Sequence, residues 1–325
     1  MAEKLTPERL AQAAVWYYIH DLSQDQVAKR LGTSRSNVSR MLRAAREQGI
    51  IRFEITYPTR RDLGAEQVVQ AALADLGVRE VIVAADPTAD AATEYSGVLA
   101  AGRAASEWLD ANLRDGMTVG MFWGSTVRAM VDVAHFDQHH DVQVTQMAGE
   151  WSDIPKHSGH ELVRDFAGKL GGGYSYFSAP AFTSSAAQAN AFLAQTPVAL
   201  ALDRARGADL HIVGVGSFGF GTTEVFLEQA GASNREVAEL TAAGVVGQLA
   251  GRFFDSAGQQ PDVAIHRRLV SLELPQVREA GTILVVCAGE EKADAVLGAA
   301  RGSLVDVLVC DQSLARALQR KVARV

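Results

Sequence analysis

A glycine followed by two hydroxyl residues, Gly124, Ser125 and Thr126, is the first candidate for chemistry in this chain. These residues follow an apolar run and stand where a helix is predicted to begin. The free backbone N–H groups of a helix start, with hydroxyls beside them, suit an anion and above all a phosphate. An ordinary serine N-cap after a glycine would explain the same residues without a ligand, so both interpretations stay open.

A second turn places a cation where the helix dipole disfavours it. Gly289 follows another apolar run, and Lys292 lies in the first turn of the helix predicted after it. A cation there opposes the helix dipole at a cost of up to about 1 kcal/mol, which a bound anion would remove. The alternative is a solvated lysine that pairs with Glu290 or Glu291.

A third turn, GVGSFG at 214–219, contains the GxGxxG pattern of dinucleotide sites, with Gly216 as its second glycine. Such a site also needs a second strand that ends in an acidic residue about 20 residues further on. The next apolar stretch, 242–247, ends without one. We therefore expect no nicotinamide cofactor, and we interpret Gly216 as part of a glycine turn near some other ligand.

Metal and nucleophile motifs are not met. His157, His160 and Glu161 follow the order HxxHE, whereas zinc helices have HExxH or HxxEH. Ser125 follows a glycine, but the GxSxG pattern of a nucleophilic serine is absent. We expect no metal, no cofactor and no catalytic residue.

Polar donors are concentrated in residues 1–56, which we call the head. Seven of them would form the outer side of one helix, namely Ser34, Arg35, Ser36, Asn37, Ser39, Arg40 and Arg43. Such side chains suit base edges and phosphates in the major groove of DNA. The alternative is a charged, solvated helix in a three-helix interaction module.

The spacing of apolar residues predicts the elements that hold these donors, with helices over about 7–20, 23–31 and 34–48. Ala28 is small enough for the second and third helices to approach, and Gly32 makes the turn between them. Val38 packs back onto the second helix. This spacing is typical of a helix-turn-helix. Residues 50–56 then alternate like a strand.

The rest of the chain alternates short apolar runs with helical stretches. Six runs predict strands, over 79–85, 117–122, 142–147, 208–215, 282–288 and 305–310. Helices are predicted between them, over 92–113, 125–134, 159–170, 233–243, 290–300 and 312–323. This order indicates an α/β domain with a mostly parallel sheet, in which ligands bind where strands end.

Charge divides the chain in the same way. The head contains nine basic and six acidic residues, whereas the rest of the 325 residues contains 22 and 32. A basic head on an acidic remainder favours an anionic partner for the head only. We therefore predict a DNA-binding domain over 1–56, a linker over 57–61, and a ligand-binding α/β domain over 62–325, which we call the body.

No segment predicts a membrane span or a disulfide. The uncharged run 170–202 is interrupted by glycines, polar residues and two prolines, and we interpret it as buried chain. Cys287 and Cys310 lie in apolar runs, which indicates reduced core thiols in a cytoplasmic protein.

Four motifs follow one another along the body: FWGST at 122–126, GVGS at 214–217, GRFFD at 251–255 and a longer block at 288–311. With the helix-turn-helix of the head, they resemble the SorC family of sugar-responsive bacterial transcriptional regulators over essentially the full length. The family would usually have Asp where Gln248 follows Gly247 here. This departure points to a different effector contact.

The resemblance implies a winged helix-turn-helix head and a Rossmann-like effector domain related to sugar-phosphate isomerases. It also implies operator DNA and a phosphorylated sugar or polyol as partners, and a homodimer or homotetramer. Carried over by position, the phosphate cradle falls on Gly124, Ser125 and Thr126, a ligand lysine on Lys292, and a further contact on Arg252. The turns at Gly216 and Gly289 complete the predicted site.

The favoured function is a DNA-binding transcriptional regulator controlled by a phosphorylated sugar or polyol. One alternative is a sugar-phosphate isomerase-like enzyme with a regulatory DNA-binding head, although no acid–base pair can be assigned beside Lys292. Another is an interaction module without a ligand.

Overall fold

The computed structural model describes residues 6–51, 59–85, 94–136, 140–151, 158–279 and 281–322. The chain forms two compact units, Met1–Pro58 and Thr59–Val325. Each unit contains its own cluster of buried apolar side chains, so each has the core that an independent domain requires.

The first unit consists of α1 (Pro7–Ala14), which continues as a π-helical turn over Val15–Ile19, then α2 (Gln24–Leu31) and α3 (Arg35–Glu47). Ser23 and Gln26 form a reciprocal capping box at the start of α2. Gly32 ends α2 at a φ of 65°, which glycine adopts without strain. Val38 is fully buried in the small core. The predicted helix-turn-helix is confirmed, and the strand predicted over 50–56 lies almost entirely outside the described residues.

The strands of the second unit are β1 (Arg60–Arg61), β2 (Glu80–Ala85), β3 (Thr118–Met121), β4 (Gln143–Gln146), β5 (Gly173–Ser175), β6 (Leu210–Val213), β7 (Gly216–Ser217), β8 (Val245–Leu249), β9 (Arg252–Asp255), β10 (Ile283–Cys287) and β11 (Val307–Asp311). Eight of them form one sheet in the order β1-β2-β11-β10-β6-β3-β4-β5. All pairs in this sheet are parallel except β1 with β2. A separate antiparallel sheet contains β7, β8 and β9, and we call it the small sheet.

The helices of this unit are α4 (Leu63–Leu73), α5 (Glu94–Asn112), α6 (Ser125–Val133), α7 (Gly159–Leu170), α8 (Ala186–Leu193), α9 (Thr196–Arg206), α10 (Thr222–Gln229), α11 (Asn234–Ala242), α12 (Leu274–Val277), α13 (Ala293–Arg301) and α14 (Gln312–Val322). Short 3₁₀ turns lie at Ala74–Leu76, Ala264–Arg268 and Glu290–Lys292.

The centre of the parallel sheet forms the core. Every residue of β10 and β11 is buried, as expected for strands covered on both faces. Cys287 and Cys310 are paired in register across these two strands and are free thiols. Burial raises the pKa of Cys287 to about 12, so this thiol is protonated and unreactive at neutral pH.

The predicted α/β class and all six predicted strands are confirmed. The interpretation of 170–202 as buried chain is wrong, because α8 and much of α9 expose small and polar side chains. The uncharged run therefore reflects small polar residues rather than burial. Across the described residues, no helix is long and apolar enough to cross a membrane.

Candidate functional site

The three turns predicted from the sequence meet at one edge of the main sheet. Strands β10, β6 and β3 are neighbours and run parallel, so their carboxyl ends lie side by side. Gly289, Gly214 and Gly124 follow these ends. Ser217 Oγ donates a hydrogen bond of 2.6 Å to the carbonyl oxygen of Glu291, which ties the second turn to the third. The structure thus places these three turns at the same edge of the sheet.

A cavity of about 170 Å³ opens at this edge. Its lining residues are Trp123, Gly124, Ser125, Trp151, Thr222, Val225, Phe226 and Gln248. Aromatic rings form one wall, with ring centroids 4.3 Å apart for Trp123 and Trp151, and 5.0 Å apart for Trp151 and Phe226. The cavity therefore offers an apolar wall and a few polar groups, as small-molecule sites usually do.

Two helices begin at this cavity with a glycine at the N-cap. Gly124 precedes α6 and Gly221 precedes α10, and neither helix start has a side-chain cap. Gly221 has a φ of 57°, where a side chain would be strained. By contrast, serine side chains cap α2, α3, α7, α8 and α11. The free N–H groups at the start of α6 give the cavity a positive electrostatic character, whereas two N–H groups at the start of α10 already donate to the carbonyl oxygens of Phe220 and Gly221.

The predicted cradle is only partly at the cavity wall. Gly124 and Ser125 line the cavity, whereas Thr126 is 3% exposed and is not among the lining residues. Gly216 lies in β7 and is buried. A Cβ atom at Gly216 would come within 2.7 Å of Gln248 Nε2 and 2.4 Å of Thr223 Oγ1, so the glycine leaves space for these groups.

Lys292 lies beside the site but does not line the cavity. Glu290 pairs with Arg320 at 2.8 Å, and within the described residues Lys292 forms no ion pair with Glu290 or Glu291. The pairing that would have explained Lys292 as a surface residue is therefore absent from that part of the chain. The backbone N–H of Gly289 is held by Asp311 Oδ1 at 3.1 Å, which fixes the turn.

Arg252 is placed away from the cavity and is 1% exposed. Its guanidinium donates to the carbonyl oxygens of His266, Ser271 and Leu272, at 2.8, 3.0 and 3.1 Å. It also pairs with Glu273 Oε1 at 2.9 Å. These contacts anchor the small sheet to residues 266–273, and the structure does not bring Arg252 together with the other predicted effector residues.

The predicted DNA-binding residues lie on α3 and its N-cap, Ser34. Arg35, Ser36, Ser39, Arg40 and Arg43 are exposed, opposite the buried face of the helix. Asn37 is half-buried, and its Nδ2 donates to Thr33 Oγ1 at 2.7 Å while its Oδ1 accepts from Arg40. Both ends of the Asn37 amide are thus occupied within the head.

Several cavity residues were not predicted. Trp151, Thr222, Val225 and Phe226 have no motif around them, and tertiary packing alone brings them to the cavity. Gln248 could have been found from the sequence, because it stands at the position where the SorC family pattern usually has Asp. The GVGSFG turn leads into β7 rather than into a helix, which agrees with the rejection of a dinucleotide site.

Comparison with known proteins assigns a family to this geometry. Residues 63–320 match the family described as "Putative sugar-binding domain", and residues 8–63 match a Crp-like helix-turn-helix domain. The chain belongs to the SorC family of sugar-binding transcriptional regulators. The resemblance seen in the sequence is confirmed.

Members of the SorC family match along nearly the whole chain. The deoxyribonucleoside regulator of Bacillus subtilis (strain 168) is 29% identical over 310 residues, which cover 94% of this chain and 96% of that protein. The sorbitol operon regulator of Klebsiella pneumoniae is 27% identical over 312 residues, covering 95% and 96%. The crystal structure of full-length SorC from Klebsiella pneumoniae has a TM-score of 0.71 at 26% identity, covering 96% and 99%. The chain is thus a DNA-binding transcriptional regulator with a sugar-binding domain.

Proposed function

We propose that a phosphorylated sugar or polyol binds in the cavity and that its binding controls the affinity of the head for operator DNA. The main support is that α6 begins at the cavity without a side-chain cap. The free N–H groups at this helix start favour an anionic ligand group. Two relatives are named for a deoxyribonucleoside and for the sorbitol operon, which agrees with a sugar or polyol as the rest of the ligand.

We also propose that the body binds this ligand without converting it. Among the described residues that line the cavity there is no His, Asp, Glu or Lys. No lining side chain is therefore suited to accept or donate a proton at neutral pH. Turnover of a phosphorylated sugar by the full chain would refute this and favour the isomerase-like alternative.

The chain is proposed to act in the cytoplasm as a homodimer or homotetramer assembled through the body. One helix-turn-helix contacts a single half-site, so tight operator binding requires at least two heads. Sedimentation of the full chain with and without operator DNA would measure the number of copies. A monomer that binds a single half-site tightly would contradict this assembly.

Calorimetry of the full chain with phosphorylated and unphosphorylated sugars and polyols tests the ligand. Ser125→Ala and Thr126→Val each remove one hydroxyl, but only Ser125 lines the cavity. A hydrogen bond to a charged group is worth about 1.5–3 kcal/mol, and this loss of affinity is expected for Ser125→Ala. A smaller loss is expected for Thr126→Val. If unphosphorylated ligands bind equally well, the proposed phosphate site is wrong.

A further inference from the structure

One end of the main sheet is an open strand edge. Within the described residues β5 pairs with β4 alone. The N–H of Gly173 donates to the carbonyl oxygen of Val142, just before β4, so the backbone N–H and C=O of the next residue, Tyr174, point away from the sheet. Proteins usually protect such an edge with charged residues or prolines. The sequence GGGYSYFS at 171–178, which we call the β5 edge, contains neither.

Aromatic rings lie on one face of the β5 edge. Tyr174 and Tyr176 are two residues apart, so their side chains share a face, and they are 43% and 47% exposed. Tyr176 stacks on His160 of α7, with ring centroids 3.7 Å apart and an angle of 18° between the rings. The ring of Tyr174 is nearly parallel to that of Tyr176, with centroids 6.2 Å apart. Tyrosines already held in place lose little freedom when a partner binds, and tyrosine is enriched in protein interfaces.

The β5 edge belongs to the uncharged run 170–202. This run contains no Lys, Arg, Asp or Glu, although fourteen of its residues are exposed. Elsewhere the body is acidic, because residues 57–325 contain 22 basic and 32 acidic residues. Two copies of an acidic body repel each other, and this repulsion is smallest where they meet through surfaces without charge. A basic partner would instead gain more from the acidic surface outside this run. The distribution of charge therefore favours a second copy of the chain at the β5 edge.

An open strand edge is also complementary to itself. Two identical strands can pair antiparallel about a two-fold axis, in which case both copies contribute the same surface. The outward N–H and C=O groups of Tyr174 would then bond to the same edge of the second copy. Side chains that face each other across such a pair are roughly 5 Å apart, so the tyrosines of the two copies would be in contact.

We infer that the β5 edge is a contact between two copies of this chain, which pair antiparallel and join their main sheets into one. The inference rests on the proposed function, since it assigns a surface to the assembly through the body that is proposed there. Tyr174 and Tyr176 supply the apolar centre of this contact.

Charge substitutions at Tyr174 test the contact by sedimentation equilibrium of the full chain. Tyr174→Glu and Tyr174→Lys each place like charges close together across the two-fold axis. Each is expected to raise the dissociation constant of the contact at least about tenfold, so that a dimer yields monomers and a tetramer yields dimers. An equal mixture of the two variants is expected to restore the larger particle, because opposite charges then face each other.

Val68→Glu is the matched control. Val68 is an apolar residue that is 53% exposed on α4, which packs against β2 at the other end of the main sheet. Its substitution adds the same charge to the surface and should leave the number of copies per particle unchanged. Thermal unfolding of all three variants should match that of the unmodified protein, which shows that the fold is retained.

The outcomes separate the inference from the proposed assembly. If both Tyr174 variants keep the number of copies of the unmodified chain, the inference is wrong while the assembly through the body stands. If Val68→Glu dissociates the particle as much as Tyr174→Glu, or if the mixture does not restore it, the β5 edges do not face each other and the inference is also wrong. If the unmodified chain is a monomer with and without operator DNA, both proposals fail.

Discussion

His266 is expected to make the body sensitive to acid. The side chain is 6% exposed, and its Nε2 lies 2.9 Å from the backbone N–H of Phe253, which can only donate. Nδ1 must then carry the proton, and it lies 3.1 Å from the carbonyl oxygen of Pro261. Burial, with a smaller effect from the charge of Arg252, lowers the pKa of His266 from 6.5 to about 4. The folded protein therefore contains a neutral imidazole.

The pKa difference sets the sign and size of the effect. Between pH 6.5 and 4, the unfolded chain binds a proton at His266 that the folded chain does not bind. The free energy of unfolding therefore falls as the pH falls, whereas above pH 6.5 this contribution is fully present. A difference of this size corresponds to a loss of roughly 2–2.5 kcal/mol between pH 7 and pH 4.5. Burial also lowers the pKa of His211, which adds a loss in the same direction.

His266→Gln isolates the contribution, because glutamine can accept from Phe253 and donate to Pro261 without titrating. Urea unfolding at pH 7 and at pH 4.5 gives the two free energies for each protein. A Trp16→Phe background leaves the remaining three tryptophans in residues 59–325, so fluorescence reports on the body alone. The original protein should lose roughly 2–2.5 kcal/mol more than the variant. Equal losses would show that His266 titrates normally and that the inferred tautomer is wrong.

Further predictions concern three arginines and a lysine. Arg252→Met should lower the free energy of unfolding by roughly 3–5 kcal/mol, because three buried carbonyl groups lose their donor; an unchanged urea midpoint would contradict the anchoring role. Arg35→Ala or Arg40→Ala should each weaken operator binding by roughly 1–3 kcal/mol in fluorescence anisotropy if the side chain contacts a base. Unchanged affinity for both would refute the assignment of α3 as the recognition helix. Lys292→Ala should leave the melting temperature nearly unchanged and should weaken the effector response if the ammonium reaches the phosphate from beside the cavity, and Lys292→Arg should then restore part of it. A normal response of the alanine variant would make Lys292 a surface residue.

The strands and the edge at which ligand loops meet could be predicted from the sequence, because both depend on local patterns. Runs such as 282–288 are apolar on both faces, which only a covered parallel strand explains well. Glycines within two residues of the ends of three such runs then mark the carboxyl edge. The capping box at Ser23 could be predicted for the same reason, since it requires only two residues that lie three positions apart in the sequence.

The cavity wall could not be predicted, because it depends on contacts between distant segments. Trp151 and Phe226 have rings 5.0 Å apart although 75 residues separate them in the chain, and no spacing rule connects them. For Arg252 the error is the opposite one, because the sequence predicted a ligand contact at a residue that does not line the cavity. A charged residue inside a motif suggested a ligand contact, but burial and three carbonyl partners give it a structural role.

The connectivity of the small sheet explains why Arg252, a structural residue, could be mistaken for a ligand contact. Gln248 in β8 lines the cavity, and Arg252 begins β9 directly after the two-residue turn at Ala250 and Gly251. Leu249 and Arg252 are paired in register, so the arginine that anchors this hairpin also fixes the strand that carries Gln248. Loss of the Arg252 side chain would displace the amide of Gln248, and the affinity for the ligand would fall although Arg252 does not contact the ligand. A weakened effector response in an Arg252 variant is therefore evidence for a ligand contact only if the free energy of unfolding is unchanged.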